Sequence, residues 1–371
     1  MQIADFALER YFARWEFSVR HLLCASDVEA YPLQELLALA DPSMREAWDS
    51  LRLGYTESAG HPLLRAEIAK LYSTTAPDDV ITFVGAEEAI FLCMHAVLSP
   101  GDHAVVVWPS YQSLYEVARS IGAAVTLVPL DPHDWALDPD AVLGAIRPNT
   151  RVIIINFPHS PTGALVPRSV LDCLTATAEA RGITLFSDEV YRYLEFDEAQ
   201  RLPAAVDLGR RTASLGVMSK AFALAGLRVG WIATHDEALR ERLSRLKDYT
   251  TICGSAPSEI LAIIALRARE RVIARSREII ANNLPLLDRF FDDFGEHFIW
   301  TRPRAGSVAF PRLRTGEIDR FCAELVEAEG VLLLPGSQFQ HDGNHFRIGF
   351  GRTDMPQALE HLKRFVRSRG S

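Results

Sequence analysis

Two basic residues stand in surroundings that suit chemistry. Lys220 and Arg228 lie eight residues apart in the small, apolar stretch SKAFALAGLRVG. Desolvation lowers the pKa of a lysine and makes its neutral amine a nucleophile toward carbonyl groups. An arginine keeps its charge and can bind a phosphate through two parallel hydrogen bonds. Taken singly, both residues would more often be surface charges, and their apolar setting weakens that interpretation.

Polar residues also follow two strand-like segments. Asp188 comes after the apolar run ITLFS, with Tyr191 three residues further on. A carboxylate at a strand end can pair with a buried cationic nitrogen and keep it protonated, and the alternative is that Asp188 caps a following helix. The segment GAEE (85–88) follows the run VITFV and opens a helix. Free N–H groups at such a helix start can bind phosphate, although many strand-turn-helix junctions have this appearance.

The elements that must hold these residues alternate between helix and strand from about residue 60. The apolar strands are VITFVG, HAVVVWP, AVTLVPL, VIIINFP and ITLFSDEV, separated by helical stretches or turns. Short, continuous apolar strands of this kind predict a mostly parallel sheet covered on both faces. The predicted fold class is therefore α/β, and ligands of such a sheet bind beyond the carboxyl ends of its strands.

The pattern changes after about residue 275, where a long helical stretch leads into segments typical of antiparallel strands. We predict a large domain with the mostly parallel sheet over residues 46–275 and a smaller α+β domain over 276–371. The segment 1–45 is expected to pack with the small domain.

Composition excludes several classes of protein. The 371 residues are 48% hydrophobic with a net charge of −9, which is a globular balance and argues against broad binding to nucleic acid or to an anionic membrane surface. No signal-peptide core or bilayer-length apolar run is visible, so we expect a cytoplasmic protein. Five scattered cysteines without a CxxC pair predict neither a disulfide framework nor a metal site.

Six motifs in order resemble the class I/II aminotransferase superfamily of fold-type I enzymes, which depend on pyridoxal 5′-phosphate. They are GAEEAI (85–90), WPSYQSLY (108–115), NFPHSPTG (156–163), SDEVY (187–191), SKAFALAGLRVGW (219–231) and FRIGFG (346–351). The resemblance extends from Tyr55 to Arg347. It implies a pyridoxal-phosphate cofactor, a large domain with a smaller one, and a homodimer with shared active sites.

The resemblance gives catalytic roles to Lys220, Asp188 and Tyr191. It implies that Lys220 forms a Schiff base with the cofactor and then moves a proton as general base and acid. Asp188 would keep the pyridine nitrogen protonated, and Tyr191 would hydrogen-bond the phenolic oxygen. The implied cofactor contacts are Tyr55 from the neighbouring subunit, the N–H groups of Ala86 and Glu87, the ring of Tyr111, and Ser160, Asp188, Tyr191, Ser219, Lys220 and Arg228.

Substrate contacts are implied near both ends of the chain. Arg347 matches the arginine that binds the substrate α-carboxylate, while Asp27 and Val28 fall where N-terminal substrate contacts lie. The acidic residues Asp27, Glu29 and Asp248 would suit a basic substrate side chain. One residue departs from the family pattern: Ser160 stands where an asparagine normally donates to the cofactor's phenolic oxygen, and its hydroxyl is a shorter donor.

The motif set implies, first, transamination between an L-amino acid and a 2-oxo acid. A second interpretation is elimination and cyclisation of an arginine derivative, because NFPHSPTG, KDYTT (247–251) and SAP (255–257) resemble capreomycidine synthase-like members. A third class, a non-enzymatic effector-binding protein of this fold, is disfavoured. Lys220 and Asp188 are both present, and no basic helix-turn-helix module is visible.

Overall fold

The computed structural model describes residues 2–369, which form fourteen strands and thirteen α-helices. The strands are β1 (His21–Leu22), β2 (Val80–Phe83), β3 (His103–Trp108), β4 (Ala124–Pro129), β5 (Thr150–Asn156), β6 (Thr184–Asp188), β7 (Thr212–Val217), β8 (Gly230–Ala233), β9 (Phe298–Ile299), β10 (Val308–Ala309), β11 (Arg312–Leu313), β12 (Val331–Leu332), β13 (Leu334–Pro335) and β14 (Phe346–Gly349). The helices are α1 (Ala7–Trp15), α2 (Leu33–Leu37), α3 (Pro42–Asp49), α4 (Pro62–Ala69), α5 (Gly85–Val97), α6 (Ser113–Ile121), α7 (Pro139–Gly144), α8 (Arg168–Arg181), α9 (Glu237–Lys247), α10 (Ala256–Arg267), α11 (Arg269–Asp293), α12 (Ile318–Glu329) and α13 (Met355–Arg369).

Seven strands form the central sheet in the order β2-β8-β7-β6-β5-β3-β4. Six of them point the same way, and β8 runs antiparallel to both of its neighbours. The prediction of an α/β fold with a mostly parallel sheet is therefore confirmed. The register of β5 and β6 pairs Asn156 with Asp188, so two polar side chains meet at the carboxyl edge of the sheet.

Both faces of this sheet are covered because alternate residues of each strand point to opposite sides. In β3, Val105 and Val107 pack in a core with α8, whereas Ala104 and Val106 pack in a second core with α5 and α6. Strands buried on both faces must be apolar at every position, which explains the continuous apolar runs in the sequence.

The C-terminal part contains a three-stranded antiparallel sheet in the order β10-β14-β13 and an antiparallel pair of β9 with β11. From the N-terminal segment, β1 pairs in parallel with β12. The division of the chain at residues 45 and 275 stays a prediction. Within residues 2–369, no helix combines the length and apolar composition needed to cross a bilayer.

Candidate active site

A cavity of about 390 Å³ opens at the carboxyl edge of the central sheet. Its wall includes the last residues of β5, β6 and β7, namely Asn156, Asp188 and Val217. Eleven of the predicted site residues line it: Asp27, Ala86, Glu87, Tyr111, Ser160, Asp188, Tyr191, Ser219, Lys220, Arg228 and Arg347. The fold thus brings together residues that are separated by up to 320 positions in the chain.

Two predicted site residues lie elsewhere. Val28 is fully buried among apolar side chains of the core and does not line the cavity, in contrast to its neighbour Asp27. Tyr55 is 91% exposed on the surface of the single chain. The acidic candidates Glu29 and Asp248 are also outside the cavity, where their carboxylates accept hydrogen bonds from Thr353 and Ser58.

Lys220 lies in the loop after β7, and its Nζ donates a 2.7 Å hydrogen bond to Ser26 Oγ. The same Nζ is 5.5 Å from the centre of the Tyr191 ring. Tyr191 donates its hydroxyl to the carbonyl oxygen of Ser26 at 3.1 Å, and Ser307 Oγ donates to the same oxygen at 2.8 Å. Ser26 therefore positions two of the three predicted catalytic side chains, Lys220 and Tyr191, although nothing in the sequence marked it.

Asp188 is buried at the end of β6, where its Oδ1 accepts a 3.1 Å hydrogen bond from the N–H of Val190. Burial raises the pKa of Asp188 to about 7, while the charge of Lys220 opposes that shift. The chain after Asp188 forms turns and no helix, so the helix-cap alternative does not apply. A buried carboxyl beside an open cavity is suited to pair with a cationic nitrogen of a ligand.

An anion site is formed where α5 begins at Gly85. The residue has a φ of +84°, and a Cβ there would lie 2.3 Å from Nη2 of Arg228. Only glycine therefore leaves room for the guanidinium beside the start of the helix. The first N–H groups of α5, which include those of Ala86 and Glu87, have no carbonyl partners within the helix. Arg228 and these N–H groups together suit a phosphate.

The Glu87 side chain is the least expected feature of this anion site. Its Oε2 is buried and has no hydrogen-bond partner among residues 2–369. Burial raises the pKa of Glu87 to about 7. The neutral carboxylic acid is therefore well populated near pH 7, which lessens the repulsion that a negative charge would exert on a phosphate at the same helix start.

Arg347 on β14 is only 3% exposed. Its Nε donates to the carbonyl oxygen of Cys24 at 3.0 Å, and its guanidinium carbon lies 5.6 Å from the centre of the Phe12 ring and 5.7 Å from that of Phe339. Nη2 is buried and has no hydrogen-bond partner within the described chain. A buried guanidinium with an unused donor facing a cavity is suited to bind a carboxylate.

Helix α1 closes one side of the cavity, which the sequence motifs did not predict. Leu8, Glu9, Phe12 and Glu16 face the cavity from this segment. Glu9 Oε1 accepts a 2.9 Å hydrogen bond from the hydroxyl of Tyr111, and burial holds the pKa of Tyr111 well above its usual range. The available signal was the spacing of these residues at 8, 9, 12 and 16, which places them on one helix face.

Residues 28–364 match the family described as aminotransferase class I and II. The chain belongs to this family. It is 33% identical to capreomycidine synthase of Streptomyces vinaceus over 96% of this chain and 91% of that protein. A structure of a PLP-dependent aminotransferase from Streptococcus suis has a TM-score of 0.93 and 30% identity, with 99% of each chain covered. The PLP-dependent cyclase OrfR has a TM-score of 0.90 and 30% identity, covering 100% of this chain and 98% of its own.

The family makes this chain a pyridoxal-phosphate-dependent enzyme whose substrates are amino acids and 2-oxo acids. The cavity fits that cofactor, because it offers an amine at Lys220, a buried carboxyl at Asp188 and an anion site at Gly85 and Arg228. In the part of the chain that the structure describes, no group of three or more His, Cys, Asp or Glu side chains is arranged to hold a metal ion.

Proposed function

We propose that this cavity is the active site of an aminotransferase that moves an amino group from an L-amino acid to a 2-oxo acid. The observation that supports it most strongly is that Lys220, Asp188, Tyr191 and Arg347 face one cavity. When bound, pyridoxal phosphate supplies an electron sink that stabilises negative charge at the substrate Cα.

The residues that hold the cofactor have distinct tasks. The N–H groups of Ala86 and Glu87, with Ser219 and Arg228, bind the phosphate. Asp188 pairs with the pyridine nitrogen and keeps it protonated. Tyr191, once its hydroxyl turns from the Ser26 carbonyl oxygen, and Ser160 would hydrogen-bond the phenolic oxygen. The backbone N–H of Ser160 donates to Asn156 Oδ1 at 2.9 Å, which fixes its position. Tyr111 would contact the pyridine ring.

With the cofactor bound, the amine of Lys220 would take the proton from the substrate Cα as general base and return a proton as general acid. Ser26 Oγ accepts a hydrogen bond from that amine and orients it. Arg347 binds the α-carboxylate and so fixes which bond of Cα faces the lysine. In the first half of the reaction, water would release the amino acid as a 2-oxo acid while the cofactor holds the amino group. In the second half, another 2-oxo acid would take up that amino group and release water.

A second candidate is a cyclase or eliminase that acts on an arginine derivative. The 33% identity to capreomycidine synthase over nearly the whole chain supports it, as does the likeness to the cyclase OrfR. Both reactions begin with removal of the Cα proton by Lys220. They would differ in the fate of the electron pair left at Cα. In transamination a proton would be added on the cofactor, and in elimination the electron pair would expel a β-substituent of the substrate.

A half-reaction distinguishes the two candidates. Single L-amino acids, including arginine and its hydroxylated derivatives, are added to the holoenzyme without any oxo-acid acceptor. An aminotransferase stops after one equivalent, with loss of the cofactor's aldehyde-form absorbance and release of one 2-oxo acid. A cyclase continues to turn over and accumulates a cyclised or eliminated product in the mass spectrum. Lys220→Ala abolishes either reaction, and full turnover in that variant would contradict the assignment of Lys220.

We further propose a cytoplasmic homodimer in which Tyr55 of each subunit reaches the neighbouring phosphate. Support comes from an exposed apolar surface that contains Leu53, Tyr55, Tyr249 and Ile252, of which Tyr55 and Tyr249 are both 91% exposed. The two loops that carry these residues are linked by a 3.3 Å hydrogen bond from Thr56 Oγ1 to the carbonyl oxygen of Gly254. Exposed apolar surface of this kind is typical of an interface between protein chains.

A further inference from the structure

Acidic side chains outnumber cationic ones around the cavity. Its lining contains three cationic side chains, Lys220, Arg228 and Arg347, and five acidic ones, Glu9, Glu16, Asp27, Glu87 and Asp188. In the proposed function each cation has a task, and Asp188 and Glu87 belong to the cofactor end. Glu9, Glu16 and Asp27 remain, and all three come from the N-terminal segment that forms one wall.

The wall formed by α1 lies against Arg347, the arginine proposed to bind the α-carboxylate. Glu9, Phe12 and Glu16 are spaced by three and four residues, so they share one helix face that extends for about 10 Å along the axis. The Phe12 ring, between the two glutamates in sequence, lies 5.6 Å from the guanidinium carbon of Arg347. A substrate bound by its α-carboxylate at Arg347 therefore lies next to these acidic side chains.

The three acidic side chains differ in their partners. Glu9 accepts the hydroxyl of Tyr111, and both carboxylate oxygens of Asp27 accept from Nη2 of Arg352 at 3.1 and 3.2 Å. The backbone N–H of Glu16 donates to the carbonyl oxygen of Phe12, but its carboxylate makes no hydrogen bond or ion pair with any residue between 2 and 369. Burial and the charges of Asp27 and Glu9 raise the pKa of Glu16, and the charge of Arg352, which is paired with Asp27, opposes that shift only in part. A cation bound beside Glu16 would relieve the remaining repulsion.

Two unused groups thus face the cavity, the buried Nη2 of Arg347 and the carboxylate of Glu16. They have opposite charges, and they suit a ligand with a carboxylate at one end and a cation at the other. We propose that the α1 wall makes the site selective for L-amino acids with a cationic side chain, and that Glu16 binds the cation. This inference rests on the proposed binding of the α-carboxylate by Arg347.

The chemistry favours a guanidinium most, because it can donate two parallel hydrogen bonds to one carboxylate. A dicarboxylic substrate would place its second carboxylate among Glu9, Glu16 and Asp27, where like charges repel it. Neutral side chains would leave Glu16 without a partner. Specificity therefore arises from attraction of one class of substrate and from repulsion of another.

A pair of unreactive ligands tests the inference by calorimetry on the holoenzyme. 5-Guanidinopentanoate and 5-ureidopentanoate both carry the carboxylate for Arg347 and lack the amino group needed for reaction, and they differ mainly in the charge of the far end. We expect the guanidino ligand to bind at least about tenfold more tightly, as a charge-assisted hydrogen bond would give. In Glu16→Gln the two dissociation constants should become similar.

The matched control is Asp5→Asn, which makes the same change of charge on the same segment at an exposed residue outside the cavity lining. It should leave the ratio of the two dissociation constants unchanged. Equal binding of the two ligands by the unmodified enzyme would overturn the inference, as would an unchanged ratio in Glu16→Gln. If that variant does not fold, the ratio in the unmodified enzyme decides alone. Failure of the proposed function is separate, because it would appear as an absent half-reaction with the ligand preference intact.

Discussion

Arg347 is the residue whose removal separates substrate binding from cofactor binding. Its Nη2 has no hydrogen-bond partner within residues 2–369, and it lies on β14, away from the anion site at the start of α5. We expect Arg347→Ala to raise the KM for amino acids at least about 100-fold, through loss of two charge-assisted hydrogen bonds to the α-carboxylate. The content of bound cofactor, measured by absorbance, should change little. Arg347→Lys should recover only part of the loss, because an ammonium cannot donate both bonds in parallel. An unchanged KM in Arg347→Ala would exclude its role in carboxylate binding.

Glu87 makes the free energy of unfolding of the cofactor-free protein depend on pH. Burial raises its pKa from an ordinary value of 4.5 to about 7 in the folded state. The folded state therefore holds the proton more tightly than the unfolded one, so stability is greatest below pH 4.5 and is lost as the pH rises through 7. Glu87→Gln removes this loss. In urea unfolding, its free energy of unfolding should exceed that of the unmodified protein by about 3 kcal/mol at pH 8 and by much less at pH 5.

The control for this prediction is Glu327→Gln, which changes an exposed glutamate on α12. Its effect on the free energy of unfolding should be the same at pH 5 and pH 8. A Glu87→Gln variant whose advantage does not grow with pH would show that the Glu87 carboxyl ionises without cost in the folded protein.

Most of the candidate site was predictable at the level of residues, because its motifs are contiguous and stand in order along the chain. Ser26, Glu9 and Glu16 were not. Ser26 is 194 residues from the Lys220 side chain that it contacts, and only the tertiary fold brings them together. Single serines and glutamates occur throughout any sequence, so their type carries no signal without that placement.

At the scale of elements, one buried side chain fixes the N-terminal end of α1. Gln112 Oε1 accepts a 2.9 Å hydrogen bond from the N–H of Ala7, and its Nε2 donates to the carbonyl oxygen of Asp5 at 2.8 Å. Gln112→Ala should loosen the segment 5–16 and leave the central sheet intact. Hydrogen exchange should become at least several-fold faster in this segment and stay unchanged in β5 and β6.

The same variant tests the link between α1 and selectivity. If α1 forms the wall that recognises a cationic side chain, the preference for the guanidino ligand over the ureido ligand should shrink when the helix is loosened. Ser120→Ala on α6 is the control, since its hydroxyl bonds only within its own helix. Unaltered exchange in Gln112→Ala would mean that the remaining contacts hold the segment: the packing of Phe6 on Tyr111, and the hydrogen bonds of Glu9 with Tyr111 and of Tyr11 with Leu333.

The order of elements followed from the sequence more readily than their directions. Apolar runs bounded by turns located five of the seven strands of the central sheet, β2 to β6, because full burial requires a continuous apolar sequence. They did not locate β7 and β8. The antiparallel direction of β8 was not predictable in this way. Its residues GWIA are as buried as those of its neighbours, and its direction depends on the short connection from β7, which holds Lys220 and Arg228. Strands of two residues, such as β1 and β12, are too short to give a periodic signal.

For the whole molecule, the proposed dimer predicts which surface change produces monomers. Leu53 and Tyr249 are 85% and 91% exposed on the apolar surface described above. Leu53→Asp combined with Tyr249→Asp should convert a dimer into a monomer in sedimentation, because a charge buried at an interface without a partner is strongly unfavourable. The monomer should also release cofactor more readily, since Tyr55 would no longer reach the neighbouring phosphate.

Phe17→Asp serves as the matched control, because Phe17 is 95% exposed and belongs to neither of the two loops that carry Leu53 and Tyr249. It should leave the protein dimeric. An unmodified enzyme that is monomeric and fully active would contradict the proposed contribution of Tyr55 from a neighbouring subunit.

The four side chains of the α1 wall, Leu8, Glu9, Phe12 and Glu16, lie within one continuous stretch of twelve residues, 5–16, whereas the catalytic groups are dispersed over the rest of the chain. Chemistry and selectivity are therefore carried by separable parts of one gene. A cassette encoding only these twelve codons could be exchanged or randomised while every group that handles the cofactor stays in place. This short cassette makes the protein a practical starting point for directed evolution of substrate selectivity toward other amino acids. Libraries randomised at Glu9 and Glu16 alone are small enough to be screened exhaustively.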